Sequence, residues 1–200
     1  MTWAEVAAET GRRVHPLVTW HRLVGSDDPS NNQGGHWEGQ PPWSGSLEFK
    51  PLDALLKVMA RHTESADQCW FCLWDGNAWV DARGISTMRF DPDPPISAFP
   101  VEVLDGPRVR LGRDYILLQG PLGSALAIGL HADDEWPADQ SPDLCWPDDR
   151  AWTVSTDIDS NSTLGAGSHQ LIEEVLNTAG IEALPADHGD SCTGDADRLN

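Results

Sequence analysis

The sequence predicts an α+β fold with a mostly antiparallel sheet, about three helices and long loops rich in proline and glycine. Helical periodicity is confined to a few separate segments, and the other apolar runs are short and bounded by turn residues. Helices and strands do not alternate regularly along the chain, as a doubly wound parallel sheet would require. An antiparallel sheet therefore accounts for the pattern best.

The N-terminal segment predicts a short helix. Thr2 and Glu5 match the S/T-x-x-E capping box, in which each side chain accepts a backbone N–H at the start of the helix. Gly11 supplies the stop, because glycine adopts the left-handed conformation that ends many helices. The first helix is therefore expected between these residues.

Two later segments predict amphipathic helices. From Pro51 onward, apolar residues recur at helical spacing and define one buried stripe: Leu52, Leu55, Leu56 and Met59. A further helix is expected after Ser168 as N-cap, with an apolar face of Leu171, Ile172, Val175 and Leu176. Gly180 is expected to end it, and residues 165–167 (Gly-Ala-Gly) are expected to form a turn before it.

The stretch CWFCLWDGN at residues 69–77 predicts a buried strand followed by a tight turn. Cys69 and Cys72 point to opposite faces of a strand, whereas a zinc or redox C-x-x-C needs both sulfurs together. We therefore expect structural cysteines here. Residues 75–77 (Asp-Gly-Asn) indicate a hairpin turn, with residues 78–81 as the return strand.

Three more strands are predicted in the second half of the chain, at residues 101–104, 115–118 and 151–156. Residues 124–130 fit a helix or a strand equally well, because the run is too short for its period to decide. The loops at 25–46 and 131–150 are long. We expect a single globular domain over residues 1–184 and an acidic, flexible tail over residues 185–200.

The charge is the most informative feature of the composition. The chain has 13 lysines and arginines against 32 aspartates and glutamates, a net charge of −19. A field of this sign repels phosphates, so neither nucleic acid nor an anionic membrane is expected as a partner. A basic protein is the partner that this charge favours, and solubility is the simpler interpretation.

The start of the chain lacks the order of a signal peptide, and no run of about 18 apolar residues occurs. A cytoplasmic location is expected on this basis. In such a compartment the four cysteines, Cys69, Cys72, Cys145 and Cys192, are expected to be reduced.

The segment WPDDRAWTVSTDID, together with GRDYILLQGPL and CWFCLWDG, resembles an uncharacterised family of actinobacterial proteins. Members of that family carry W-P-x-D-x-A-W followed by T-x-I-D and a glycine-rich turn. The matching positions are Trp146, Pro147, Asp149, Ala151, Trp152, Thr156, Ile158, Asp159, Gly165 and Gly167. The resemblance covers residues 43–184 and implies a shared fold, but it assigns no catalytic residue.

Asp157 and Asp159 are the candidates for a metal site. Two residues apart on a strand, they would share one face and hold a divalent cation with help from Asp148 or Asp149. His169 or His131 would then act as acid or base in a metal-dependent hydrolase. The simpler interpretation is a polar strand end and turn, so no metal and no cofactor are expected, and a divalent cation is the alternative.

The tryptophans suggest a third kind of site. Trp37 and Trp43 in one long loop, with Trp136 and Trp146 in the other, would line a cleft for a sugar or an aromatic ligand. The simpler interpretation is that these side chains anchor the loops. Trp70, Trp74 and Trp79 are expected to be core or hairpin residues.

No catalytic motif stands out in the sequence, so whether the protein is an enzyme stays undecided. The function that the charge favours is binding: an acidic protein-binding domain of immunity or regulatory type. The hydrolase at Asp157 and Asp159 and the tryptophan-lined ligand cleft are the two alternatives. The oligomeric state does not follow from the sequence.

Overall fold

The structure, a computed structural model, describes residues 1–28, 37–77, 99–128 and 140–200. The helices are α1 (Trp3–Thr10), α2 (Trp20–Leu23), α3 (Phe49–Met59), α4 (Val101–Leu104) and α5 (His169–Leu176). Short 3₁₀ segments cover Ala60–His62 and Leu122–Ala127. The strands are β1 (Cys69–Trp74), β2 (Arg108–Leu111), β3 (Arg113–Gly120), β4 (Leu144–Pro147), β5 (Trp152–Ser155) and β6 (Leu164–Gly167). The predicted α+β class with an antiparallel sheet is confirmed.

The chain divides into two units. The first contains residues 1–43 and 172–200, and the second contains residues 44–171. The second unit holds the entire sheet, whose strand order is β2-β3-β1-β4-β5-β6 with antiparallel pairing throughout. The domain boundaries expected from the sequence, 1–184 and 185–200, stay a prediction.

One face of the sheet forms the core of the second unit. Phe71 and Leu73 on β1 are buried on this face, and α3 contributes the buried side chains that its periodicity predicted: Leu52, Leu55, Leu56 and Met59. The indole of Trp152 on β5 donates a hydrogen bond of 3.0 Å to the Met59 carbonyl. Because this donor is fully buried, the bond fixes the end of α3 against the sheet.

The helix boundaries follow the local signals closely. Thr2 is the N-cap of α1 with both capping-box bonds formed, and Gly11 ends the helix at φ +70°. Helix α3 begins at Phe49, two residues before Pro51. Helix α5 starts after Ser168, whose hydroxyl accepts the Leu171 N–H, but it ends at Leu176 rather than Gly180.

Two element predictions were wrong. Residues 101–104 form the helix α4 after Pro100, not a strand, and Leu104 packs against Ile116 of β3. Residues 165–167 belong to strand β6 instead of a turn, because each pairs with a residue of β5. The ambiguous segment 124–130 begins within the 3₁₀ segment that ends at Ala127. The return strand expected at 78–81 lies outside the described residues.

Tryptophans form the core of the first unit. Trp20 of α2 is 4% exposed and meets Trp3 and Trp37 edge-to-face, with ring centroids 5.4 and 5.1 Å apart. Asp197 is buried as well, and its carboxylate accepts hydrogen bonds from the backbone N–H groups of Leu199 and Asn200. Burial alone would raise the pKa of Asp197. The two backbone bonds, together with hydrogen bonds from the side chains of Asn200 and His15, lower it to about 2.

Among the described residues, no helix is long and apolar enough to cross a membrane.

Candidate functional site

In the part of the chain that the structure describes, the second face of the sheet carries three tryptophans. Strand alternation and register place Trp70, Trp74 and Trp146 on the face opposite Phe71, and Trp70 lies directly across from Trp146. Between Trp70 and Trp74 on β1 lies Cys72, which pairs with Leu117 of β3 on one side and with Leu144 of β4 on the other. We call these five residues, Trp70, Trp74, Leu117, Leu144 and Trp146, the tryptophan face.

The tryptophan face is partly exposed. All five of its side chains are half-buried, whereas Cys72 beneath them is fully buried. The described helices of this unit contribute their buried residues to the other face of the sheet. Among the described residues, the indole of Trp74 packs over Gly76, where a Cβ atom would lie only 2.2 Å from the ring. Glycine at position 76 therefore allows the Trp74 ring to pack against the backbone of the turn.

Carboxylates border the tryptophan face at both ends. At one end the Trp70 indole N–H donates to Asp148 Oδ1 over 3.1 Å. At the other end the guanidinium of Arg113 lies 5.4 Å from the ring centroid of Trp74, within the range of a cation–π contact. The same guanidinium is 2.6 Å from Asp159 Oδ2 and 3.6 Å from Asp157 Oδ1. The hydrogen bond to Asp159 raises the pKa of Arg113.

Asp143 lies near the Arg113 end of this face. It is 3% exposed, and its Oδ2 accepts the Trp74 N–H at 2.8 Å. Because β4 begins at Leu144, this side chain takes the place of a backbone partner for the last residue of β1. Its Oδ1 has no hydrogen-bond partner within the described part of the chain. Burial is the main reason that the pKa of Asp143 is raised to about 6. The hydrogen bond from the Trp74 N–H and the charge of Arg113 oppose the rise, and the charge of Asp157 contributes to it. Burial and the charges of these two aspartates raise the pKa of Tyr115 as well.

The structure brings Asp157 and Asp159 together, although not on a strand. Strand β5 ends at Ser155, and both aspartates lie in the following turn, where Asp157 Oδ1 accepts the Asp159 N–H. Their shared neighbour is the guanidinium of Arg113, which supplies a positive charge at the position proposed for a cation. Among the described residues, no group of three or more histidines, cysteines, aspartates and glutamates is arranged to hold a metal ion.

The other residues of the hydrolase hypothesis lie elsewhere. Asp149 sits in the turn between β4 and β5, at the opposite end of β5 from Asp157, and accepts hydrogen bonds of 2.8 Å from Thr63 and from Glu64 N–H. Burial would raise its pKa, but these bonds lower it. His169 follows β6 and is likewise at the far end of that strand from Asp159. His131 lies outside the described residues.

The four tryptophans expected in a ligand cleft occupy different places. Trp37 packs against Trp20 in the first unit, and Trp43 of the same unit is 66% exposed. Trp146 belongs to the tryptophan face in the second unit, and Trp136 lies outside the described residues. Trp146 instead lies directly across from Trp70, and Trp74 is further along the same face of β1; the sequence predicted Trp70 and Trp74 as core or hairpin residues.

The C-x-x-C pair behaves as its strand position predicts. Cys69 and Cys72 are buried, unpaired and on opposite faces of β1. Burial raises the pKa of Cys69 to about 11 and that of Cys72 to about 12, so neither thiol ionises near neutral pH. Such thiols are poor metal ligands and poor nucleophiles.

A cavity of about 360 Å³ in the first unit is large enough for a small ligand. Most of its polar side chains are already engaged, however. His15 Nε2 lies 2.8 Å from Asp197 and its Nδ1 accepts the Leu17 N–H, while the hydroxyl of Ser191 meets that of Thr193. The cavity therefore offers few unpaired groups for recognition.

Comparison with family models, with curated proteins and with solved structures gave no significant match. The residues of the site itself thus have to carry any functional argument.

Sequence reasoning missed Arg113, Asp143, Trp70 and Trp74 as members of one site. The alternation of CWFCLW indicated that Trp70 and Trp74 share a face. Their alignment with Trp146 depends on the pairing of β1 with β4, which are about 70 residues apart and whose register no local signal specifies.

Proposed function

We propose that this protein is a binding domain of immunity or regulatory type, which uses the tryptophan face to hold a basic segment of a partner protein. The observation that carries the proposal is the half-buried pair of Trp70 and Trp146, directly opposed on a sheet face bordered by Asp148 at one end and by Asp157 and Asp159 at the other.

The chemistry of this face fits cationic side chains. Tryptophan and arginine are enriched among the residues that dominate protein interfaces, and a guanidinium placed over an indole gains cation–π stabilisation. Arg113 already makes this contact with Trp74. Lysines or arginines of a partner would contact the rings of Trp70 and Trp146 in the same way, with the bordering carboxylates as counter-charges.

The overall charge supports the same kind of partner. A net charge of −19 attracts a basic protein from a distance and raises its association rate at low salt. Burial of indole surface would then hold the complex together. Steering and anchoring are therefore supplied by different residues, and separate substitutions can test them.

The two alternative functions have less support. Small-ligand sites are usually concave, whereas the tryptophan face is the surface of a sheet, and the cavity that lies beneath the sheet near Cys145 and Val154 measures only about 10 Å³. A hydrolase would need a cation beside Asp157 and Asp159, where Arg113 now lies. Either function would require Arg113 or the face to rearrange.

The proposal is tested with a defined peptide. The probe is a fluorescein-labelled heptapeptide of alternating arginine and valine, its control is the analogue with glutamate in place of arginine, and binding is followed by fluorescence anisotropy. We expect the arginine peptide to bind with an affinity that falls as salt is added, and the glutamate peptide not to bind.

Matched substitutions locate the site. Trp146→Ser is expected to weaken binding about tenfold or more, as loss of an interface anchor does, while Trp43→Ser, an exposed tryptophan of the first unit, is not. Asp148→Asn is expected to reduce the salt dependence more than Glu102→Gln, the same charge change on α4. The proposal is wrong if the arginine peptide does not bind, or if Trp146→Ser binds it as tightly as Trp43→Ser does.

A further inference from the structure

The two edges of the sheet are built differently. Edge strand β2 carries Arg108 and Arg110, and charged side chains on an edge discourage the addition of another strand. Edge strand β6 has the sequence Leu-Gly-Ala-Gly, with no charge and no proline, and all four residues are exposed. The charged side chains of β2 therefore disfavour the addition of a strand at that edge, whereas β6 has no such charges.

The backbone of β6 is paired on one side only. Each of its residues pairs with β5, from Leu164 with Ser155 to Gly167 with Trp152. Within the described ranges, no backbone hydrogen bond joins the outer side of β6 to another residue. The outward N–H and C=O groups of this strand are thus available to an added strand.

Gly165 in β6 leaves room for a side chain, as far as the described residues show. A Cβ atom at this position would meet only Met59 Cε at 3.8 Å, an ordinary contact, and its backbone is not left-handed. Gly167 differs, since a Cβ there would lie 2.4 Å from Leu171 Cδ2 and 3.2 Å from Trp152 Cβ. Glycine in a strand lowers stability, and where packing does not require it, close approach of another backbone is one reason for it.

The charge around β6 is complementary to a basic strand. Residues 140–171, which contain β4, β5 and β6, carry five aspartates and one arginine, whereas residues 99–128, which contain β2 and β3, carry three acidic and three basic residues. A second copy of this chain would bring another net charge of −19 to the same edge. The acidic side of the sheet therefore favours a basic occupant over self-association.

From these observations we infer that β6 accepts an extended basic segment of the partner as a seventh strand. The inference rests on the proposed function and adds a second contact with the same partner, at the edge strand two strands beyond Trp146. The backbone of the segment pairs with β6, and its alternate side chains extend the row that Leu164 and Ala166 form on the same side as the tryptophan face. Backbone pairing supplies affinity, and the aspartates of residues 140–171 favour cationic side chains.

The test uses the arginine–valine heptapeptide and two analogues of it. One analogue is N-methylated at every valine and the other at every arginine, so each loses the N–H groups of one edge but keeps its side chains. Strand addition uses one edge of the peptide, so we expect one analogue to lose at least about tenfold in affinity and the other to bind nearly as the parent does. Amide exchange at residues 164–167 is expected to slow when the parent peptide binds.

A matched pair of variants places the strand. Leu164 on β6 and Leu111 on β2 are 48% and 57% exposed, so arginine at either position adds the same charge to one edge of the sheet. Leu164→Arg is expected to weaken peptide binding about fivefold or more, and Leu111→Arg by less than about twofold.

The outcomes separate this inference from the proposed function. If both N-methylated analogues bind as tightly as the parent and residues 164–167 gain no protection, strand addition is wrong, while a loss of binding in Trp146→Ser still supports the proposed function. If no peptide binds at all, both proposals are wrong. Equal weakening by Leu164→Arg and Leu111→Arg also overturns the assignment to β6.

Discussion

Replacing Asp143 with asparagine tests the electrostatics of the candidate site. Asp143 is 3% exposed, and its Oδ2 accepts the Trp74 N–H, while Oδ1 has no hydrogen-bond partner among the described residues. Burial raises its pKa to about 6, against an ordinary value near 4. The side-chain amide of the Asp143→Asn variant would keep an oxygen for the Trp74 N–H but could not ionise.

The size of the effect follows from the pKa. Since the folded protein holds the proton more tightly than the unfolded chain, Asp143 is at its most favourable below about pH 4 and becomes destabilising as the pH rises through about 6. A pKa raised from 3.8 to about 6 corresponds to about 3 kcal/mol at pH 7. At pH 4 the unfolded carboxyl is already partly ionised, so on going from pH 4 to pH 7 the wild type should lose about 2 kcal/mol relative to Asp143→Asn.

Urea unfolding of both proteins at pH 4, 5, 6 and 7 measures this difference. The buried amide N–H of the variant adds its own penalty, about 1–3 kcal/mol, but that penalty does not depend on pH and cancels. Titration of the Asp143 carboxyl carbon by NMR provides an independent value of the pKa. A stability difference that is constant from pH 4 to pH 7, or one that grows in the opposite direction, would refute the reasoning.

Two further predictions concern β6 and the cysteines. Gly165→Ala should raise the free energy of unfolding by about 0.5–1 kcal/mol, because alanine loses less entropy on folding, whereas Gly167→Ala should lower it through the clash with Leu171. Urea unfolding measures both, and equal changes would contradict the packing argument. With a thiol reagent at neutral pH, the exposed Cys192 should react at once and the other three only after denaturation, since burial raises their pKa values. Rapid reaction of two or more thiols in the folded protein would contradict their burial.

Local signals were sufficient for several elements of the fold. The capping box of Thr2 and Glu5 fixes the start of α1, and the stripe from Leu52 to Met59 fixes the buried side of α3. Both signals lie within a few residues, so no distant contact is needed to interpret them. The apolar run at 69–74 predicted β1 for the same reason.

Elements that depend on distant partners were not predictable in this way. Apolar and polar residues alternate in Val101–Leu104 as they would in a strand. After Pro100 the segment forms a helical turn instead, in which Leu104 packs against Ile116. Residues 165–167 resemble a turn by composition and become a strand because β5 lies beside them. Short segments carry too little local preference to resist such contacts.

The candidate site shows the same limit. Asp143 precedes an ordinary apolar strand, and nothing near it in sequence indicates that it accepts a hydrogen bond from Trp74, 69 residues away. Arg113 likewise reaches Asp159 across 46 residues. The sequence thus supplied the residue types and the acidic charge, and the sheet register determined which of them meet.

The central claim, that the tryptophan face is the binding surface, is tested most directly by the indole N–H signals of the protein. The chain has ten tryptophans, and substituting each with phenylalanine assigns its signal in a ¹⁵N–¹H spectrum. On titration with the arginine–valine heptapeptide, the signals of Trp70, Trp74 and Trp146 should shift together, while those of Trp3, Trp20, Trp37 and Trp43 should stay in place. Binding that shifts the second group and leaves the first unchanged would contradict the claim.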